Sequence, residues 1–117
     1  MNRYKLTKAG VDVNDGIRRL GGNREVYERL LFMFPDDPSY NRMLLAIENG
    51  DAEESFAAAH AQKGVAGNLS LVDLHSAILP LVEIFRAGTM ENHEQYLPEV
   101  KRCYEAAAKE ILAEREG

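Results

Sequence analysis

Apolar residues recur three and four positions apart over most of this chain, the spacing of one face of an α-helix. Asn23 is placed to cap a helix in which Val26, Tyr27, Leu30, Leu31 and Phe34 form a stripe. Phe32 and Met33 fall outside that stripe, so this helix is expected to pack on two neighbours. Asp37-Pro38 starts the next one, because proline at the first helical position gives up only an N–H that has no partner there. Tyr40, Met43, Leu44 and Ile47 form its inward face, and Asn49-Gly50 ends it. Leu71, Leu74, Ile78, Leu81 and Phe85 repeat in a helix opened by Ser70 and stopped by Arg86 and Gly88, in which Pro80 should kink the axis or shift the hydrogen bonds. Leu97, Val100, Tyr104, Ala107 and Ile111 mark the last helix, with Thr89 or Asn92 as its cap and Pro98 in its first turns. A short helix is expected over Asn14–Leu20, stopped by Gly21 and Gly22, and residues 1–11 show no period and read as an N-terminal arm.

The stretch between Asp51 and Leu71 has a different character. Asp51 and Glu54 resemble a capping box, and the helix that follows carries few large side chains. With about 100° between successive residues, Ala58, Gln62, Val65, Ala66 and Leu69 point one way. Glu53, Phe56, Ala57, His60, Lys63, Gly64 and Gly67 point the other. The more apolar side should pack inward and leave His60 exposed, between a lysine one turn on and two glycines. Glycine inside a helix costs roughly 1 kcal/mol relative to alanine, so bare backbone beside an imidazole suggests close approach by something else.

These segments predict an all-α fold, an antiparallel four-helix bundle with one or two additional short N-terminal helices in a single domain of residues 1–117. The composition, 45% hydrophobic and 28% charged, suits an ordinary globular chain with one core. A net charge of −5 argues against a broad phosphate-binding surface and hence against nucleic acid as partner. The single cysteine, Cys103, can make no internal disulfide, and no apolar run is long enough for a signal peptide or a membrane span. A monomer in the cytoplasm, without membrane contact, is the expectation.

Candidate chemistry is sparse. His75 lies among Leu71, Ile78 and Leu79 and reads as a packed or boundary histidine, whereas His93 beside Glu94 reads as a solvated loop side chain. No histidine has a second histidine or cysteine three or four residues away, and no paired Glu-x-x-His motif occurs, so a metal site or a helical metalloenzyme is poorly supported. Cys103 has no evident base nearby in sequence, and the pairs Asp36-Asp37 and Glu53-Glu54 serve as helix-terminus charges. On spacing alone, His60 is either functional or an incidental surface histidine.

The segment His60-Ala61-Gln62-Lys63-Gly64-Val65-Ala66-Gly67-Asn68-Leu69 closely resembles the HxLKGxAGNxG signature of the histidine-containing phosphotransfer (HPt) domain family. The upstream GIRRLGGNREVYERLLFMF and the positions of Leu71, Leu74 and Leu81 extend the resemblance over most of the chain. It implies a helical bundle with His60 as phosphoacceptor, taking a phosphoryl group from a receiver-domain aspartate and passing it to another. Lys63 would stabilise phosphoryl charge, and Phe56, Ala57, Gly64 and Gly67 would form the partner-binding face. The implied partners are response-regulator receiver domains, including that of a hybrid sensor kinase. Magnesium would sit on the receiver only, with no cofactor or metal on this chain and no autokinase activity.

This sequence departs from the family pattern at three places. Gln62 replaces the usual leucine and must find a hydrogen bond, Ser70 replaces a common glycine and is expected to cap the next helix, and Val82 stands where many relatives carry a polar side chain near the imidazole. The alternative reading is a bundle of the same fold that docks a receiver or kinase without being phosphorylated.

Overall fold

Short polar side chains set where the helices begin. Asn2, Asp12, Asn23 and Asp51 each accept a hydrogen bond from the backbone N–H three residues on, at 3.0, 3.0, 3.1 and 3.0 Å. Each such cap stabilises its helix by about 1 kcal/mol relative to alanine. A computed structural model of the chain describes residues 1–117. It contains seven α-helices and no strand: α1 (Arg3–Lys8), α2 (Val13–Arg19), α3 (Arg24–Met33), α4 (Ser39–Glu48), α5 (Ala52–Asn68), α6 (Val72–Arg86) and α7 (Leu97–Glu116). Single 3₁₀ turns lie at Phe34–Asp36 and His93–Gln95. No helix is long and apolar enough to cross a membrane.

Helix α5 packs between α4 and α6, and α6 packs on α7. The three-residue links 49–51 and 69–71 force α4, α5 and α6 to run antiparallel in succession. Tyr40 of α4 and Tyr104 of α7 stack with ring centroids 3.5 Å apart and planes 6° from parallel, bringing the first of these helices against the last. One continuous apolar cluster joins Leu6, Leu31, Phe34, Met43, Ala58, Ile78, Phe85 and Ile111.

The N-terminal segment is not a featureless arm. Residues 3–8 are helical, Leu6 and Val11 are fully buried, and the Asn2 backbone N–H donates to Glu114 on α7 at 2.6 Å. Two buried apolar residues are too few to show a period, which is why the pattern missed this helix. Elsewhere the corrections concern single groups. Ser70 caps nothing: it sits at φ +58° and its hydroxyl donates to Asp15 at 2.7 Å. Neither Thr89 nor Asn92 caps α7, because Thr89 accepts from the Glu91 N–H and Asn92, at φ +64°, leads into the 3₁₀ turn. Glu54 pairs with Arg42 on α4 rather than completing a capping box. Helix α3 does pack on two neighbours, α2 and α7, with Phe32 against the core, but Leu30 of its stripe and Met33 stay exposed and border an open groove of about 460 Å³ with Phe34, Val65 and Leu69.

The short helices gather where α5 ends and α6 begins. The Tyr27 hydroxyl donates to the Leu69 carbonyl at 2.8 Å, and the Asp12 N–H donates to the Ser70 carbonyl at 2.9 Å. Gly16 of α2 lies so close to the Tyr27 ring that a Cβ would overlap it. Since the ring is pinned by its hydroxyl, Gly16→Ala should destabilise the protein by about 1–3 kcal/mol as an overpacking change. Urea unfolding checks this, and an unchanged midpoint would contradict the close packing of α2 on α3.

Asp15 also faces Arg19 at 2.8 Å and Arg18, and these contacts, with Arg19 the largest and Ser70 next, hold its carboxyl well below the usual carboxylate range. A depressed carboxyl stabilises the fold above its unfolded value, about 3.9, and loses that contribution as the pH falls below it. Thermal midpoints should therefore drop in acid below about pH 4, and Asp15→Asn should flatten that drop. Identical pH profiles for the two proteins would show that Asp15 is not coupled to folding.

Candidate functional site

Helix α5 buries one face made largely of small residues. Ser55, Ala58, Ala59, Gln62 and Ala66 are inaccessible, which lets α4 and α6 approach closely on either side. Gln62 does find a partner in Ser39, whose hydroxyl touches both the glutamine amide and Asp37. A hydroxyl has one proton. It is shared between the Asp37 carboxylate and the Gln62 amide oxygen, both of which can only accept, while the Gln62 NH₂ is buried without an acceptor.

The opposite face carries His60, the central residue of the helix, and its side chain is exposed. Phe56, one turn earlier, is half-buried and stacks on the imidazole with ring centroids 5.6 Å apart and planes 22° from parallel. Lys63, one turn later, is half-buried with no carboxylate within ion-pair distance. Gly64 is exposed, and a Cβ built there meets nothing within 4 Å. Ala57 is also exposed on this flank. Gly67 behaves differently: it is half-buried, and a Cβ there would come within 3.3 Å of the His75 ring on α6. Its missing side chain serves the closing of α6 onto α5.

One residue of this face was not foreseen. Arg86, read from the sequence as a helix stop, places its guanidinium over the Phe56 ring, 4.9 Å from the centroid. The antiparallel path of α6 explains this, since its last turn lies beside the first half of α5. Glu83 pairs with Arg86 at 3.3 Å. Val82 is fully buried, and no side chain makes a hydrogen bond to the His60 ring. The imidazole is thus framed by an aromatic ring and cationic side chains, with open backbone on its C-terminal side.

The other candidates are engaged in structure. His75 is half-buried against Gly67. His93 is not a solvated side chain: its Nδ1–H donates to the Met90 carbonyl at 2.7 Å, and its ring packs on Phe85. Burial pushes the Cys103 thiol up to about 11, helped by its hydrogen bond to Glu99, so thiolate is scarce at neutral pH. The three histidines lie apart, and no group of three metal-ligating side chains converges.

Comparisons with protein-family models, curated proteins and solved structures gave no match.

The open space at Gly64 has a direct consequence for stability. Gly64→Ala should raise the unfolding free energy by about 1 kcal/mol, because alanine is the better helix former and meets no neighbour. A thermal midpoint several degrees higher is expected for a domain of this size. A lower midpoint would mean that the position is constrained in some other way.

Proposed function

We propose that this chain is a phosphorelay module of the histidine-containing phosphotransfer type. In this reading α4, α5, α6 and α7 form an antiparallel four-helix bundle, with α1, α2 and α3 packed at the end where α5 meets α6. His60 accepts a phosphoryl group from an aspartyl phosphate on a receiver domain and passes it to the aspartate of a second receiver. The observation that carries the reading is the placement of His60: exposed at the middle of α5, beside Lys63 and the unobstructed backbone of Gly64.

Neutral imidazole keeps one ring nitrogen with a free lone pair. As that nitrogen bonds to phosphorus, the acyl-phosphate O–P bond breaks and the aspartate leaves as carboxylate with the bonding electron pair. The loose transition state needs alignment and positive charge more than covalent help. Lys63 supplies charge from one turn away, and the receiver brings the magnesium ion and the reacting aspartate. Gly64 lies about 40° round the helix from His60, so the absence of a side chain there admits the receiver's loops. The reading places the reaction in the cytoplasm, with the chain acting as a monomer that pairs transiently with receivers.

Phosphotransfer profiling against the host's receivers tests this. His60→Gln should remain folded and lose all acid-labile, base-stable label, since glutamine has similar reach and no nucleophilic ring nitrogen. Lys63→Ala should slow transfer by about 10- to 100-fold, equivalent to roughly 1–3 kcal/mol. Gly64→Gln should bind receivers weakly while its His60 still reacts with phosphoramidate. Label retained in His60→Gln and lost instead with His75 or His93 would overturn the assignment. Tight receiver binding with no label on the wild-type protein would favour a pure docking module.

A further inference from the structure

We propose that Phe56 is a positioning residue for His60, its ring held from α6 by Arg86 and setting the plane of the imidazole. The proposal rests on the phosphotransfer reading of His60 and adds the means by which its ring is aimed. An exposed imidazole on a helix turns about two side-chain torsions, and a transferable phosphoryl group can be met only in a narrow part of that range. A hydrogen bond from a neighbouring side chain is the ordinary restraint. Here there is none: Val82 is apolar and fully buried, and Glu83 is turned to Arg86 at 3.3 Å. What touches the ring is Phe56, at 5.6 Å between centroids and 22° between planes, an offset stack.

A stack restrains only if its lower member is itself fixed. Phe56 is half-buried against the core cluster, and the Arg86 guanidinium covers it at 4.9 Å from the ring centroid. Arg86 in turn is tied to Glu83 one turn earlier on α6. The chain of contact therefore runs from α6 through Arg86 and Phe56 to His60, and it fixes the orientation of a nucleophile on α5 by a residue on its neighbour. Unlike a hydrogen bond, a stack leaves both ring nitrogens without an intramolecular partner, so the imidazole is held in plane while either nitrogen can be presented to a donor.

NMR of the full chain tests the geometry without reference to any reaction. The His60 ring protons should be displaced upfield by the Phe56 ring current, and its side-chain torsions should populate one rotamer. Phe56→Leu should return both to the values of a free histidine, Phe56→Tyr should keep them, and Arg86→Met should move them part of the way. Wild-type shifts equal to those of a solvated histidine would overturn the proposal, whatever the phosphotransfer result. The kinetic readout uses whichever receiver donates to the wild-type protein. Phe56→Leu should lower kcat about tenfold at saturating receiver with little change in KM. Phe56→Tyr should restore kcat. A raised KM with unchanged kcat would make Phe56 a docking contact and defeat the positioning role. Displaced ring protons together with no label on His60 from any receiver would refute the phosphotransfer reading while leaving the restrained ring in place.

Discussion

The end of helix α5 is the constraint on which the rest depends. A helix leaves its last carbonyls unpaired, and when that end is buried each orphan costs about 1–3 kcal/mol. Leu69 and Ser70 are both almost inaccessible, so the problem cannot be passed to water. It is solved by groups from three directions. The Leu71 N–H returns to the Ala66 carbonyl at 2.8 Å, the Tyr27 hydroxyl takes the Leu69 carbonyl, and the Asp12 N–H takes that of Ser70. The last two partners lie on α3 and at the start of α2. The short N-terminal helices are therefore not decoration on a bundle, because they complete the hydrogen bonding of the helix that carries His60. Burial also pushes the Tyr27 hydroxyl well above the ordinary phenol range, which keeps it a donor into alkaline pH.

Ser70 shows how a side chain is accommodated in a left-handed backbone at that turn. A left-handed backbone favours glycine, and a side chain there costs on the order of 1 kcal/mol. The serine hydroxyl recovers energy through Asp15, which Arg18 and Arg19 already hold as a carboxylate. Gln62 is absorbed in the same manner, by the Ser39 hydroxyl and Asp37 on the neighbouring helix start. Each of these buried polar side chains has a partner, and both partners come from elements that must dock for the fold to close.

Legibility from the sequence followed the range of the interaction. The caps at Asn23 and Asp51, the glycine stops and the inward face of α5 depend on residues within one turn and were readable. So was the exposure of His60, which lies across the helix from Ala58, Gln62 and Ala66. Helix α1 was unreadable because its burial rests on contact with α7, more than a hundred residues away. Arg86 was read only in part for the same reason: as a local signal it ends α6, as it does in the structure, and only the antiparallel return of that helix puts it over Phe56. Gly67 looked equivalent to Gly64 by helical angle, yet the converging path of α6 closes His75 over one and leaves the other bare. Periodicity reports which side of a helix is covered on average, and it is silent on where along that side the cover stops.

That difference between two glycines on one helix face gives the site its shape. At Gly67 the glycine lets two helices meet, a stabilising use that offsets its low helix propensity. At Gly64 nothing fills the space, so the propensity cost of roughly 1 kcal/mol has no compensation within the chain. Against a total stability of about 5–15 kcal/mol for an ordinary domain, such a loss is appreciable, and alanine would remove it by a single substitution. Ala57 and Ala61 keep the rest of the exposed face equally low, while His60 stands above it with its ring braced by Phe56. A surface that is flat except for one restrained imidazole suits the approach of another backbone to within bonding distance of a ring nitrogen. In the proposed reaction the free energy missing from the isolated fold is recovered when a receiver occupies the space above Gly64.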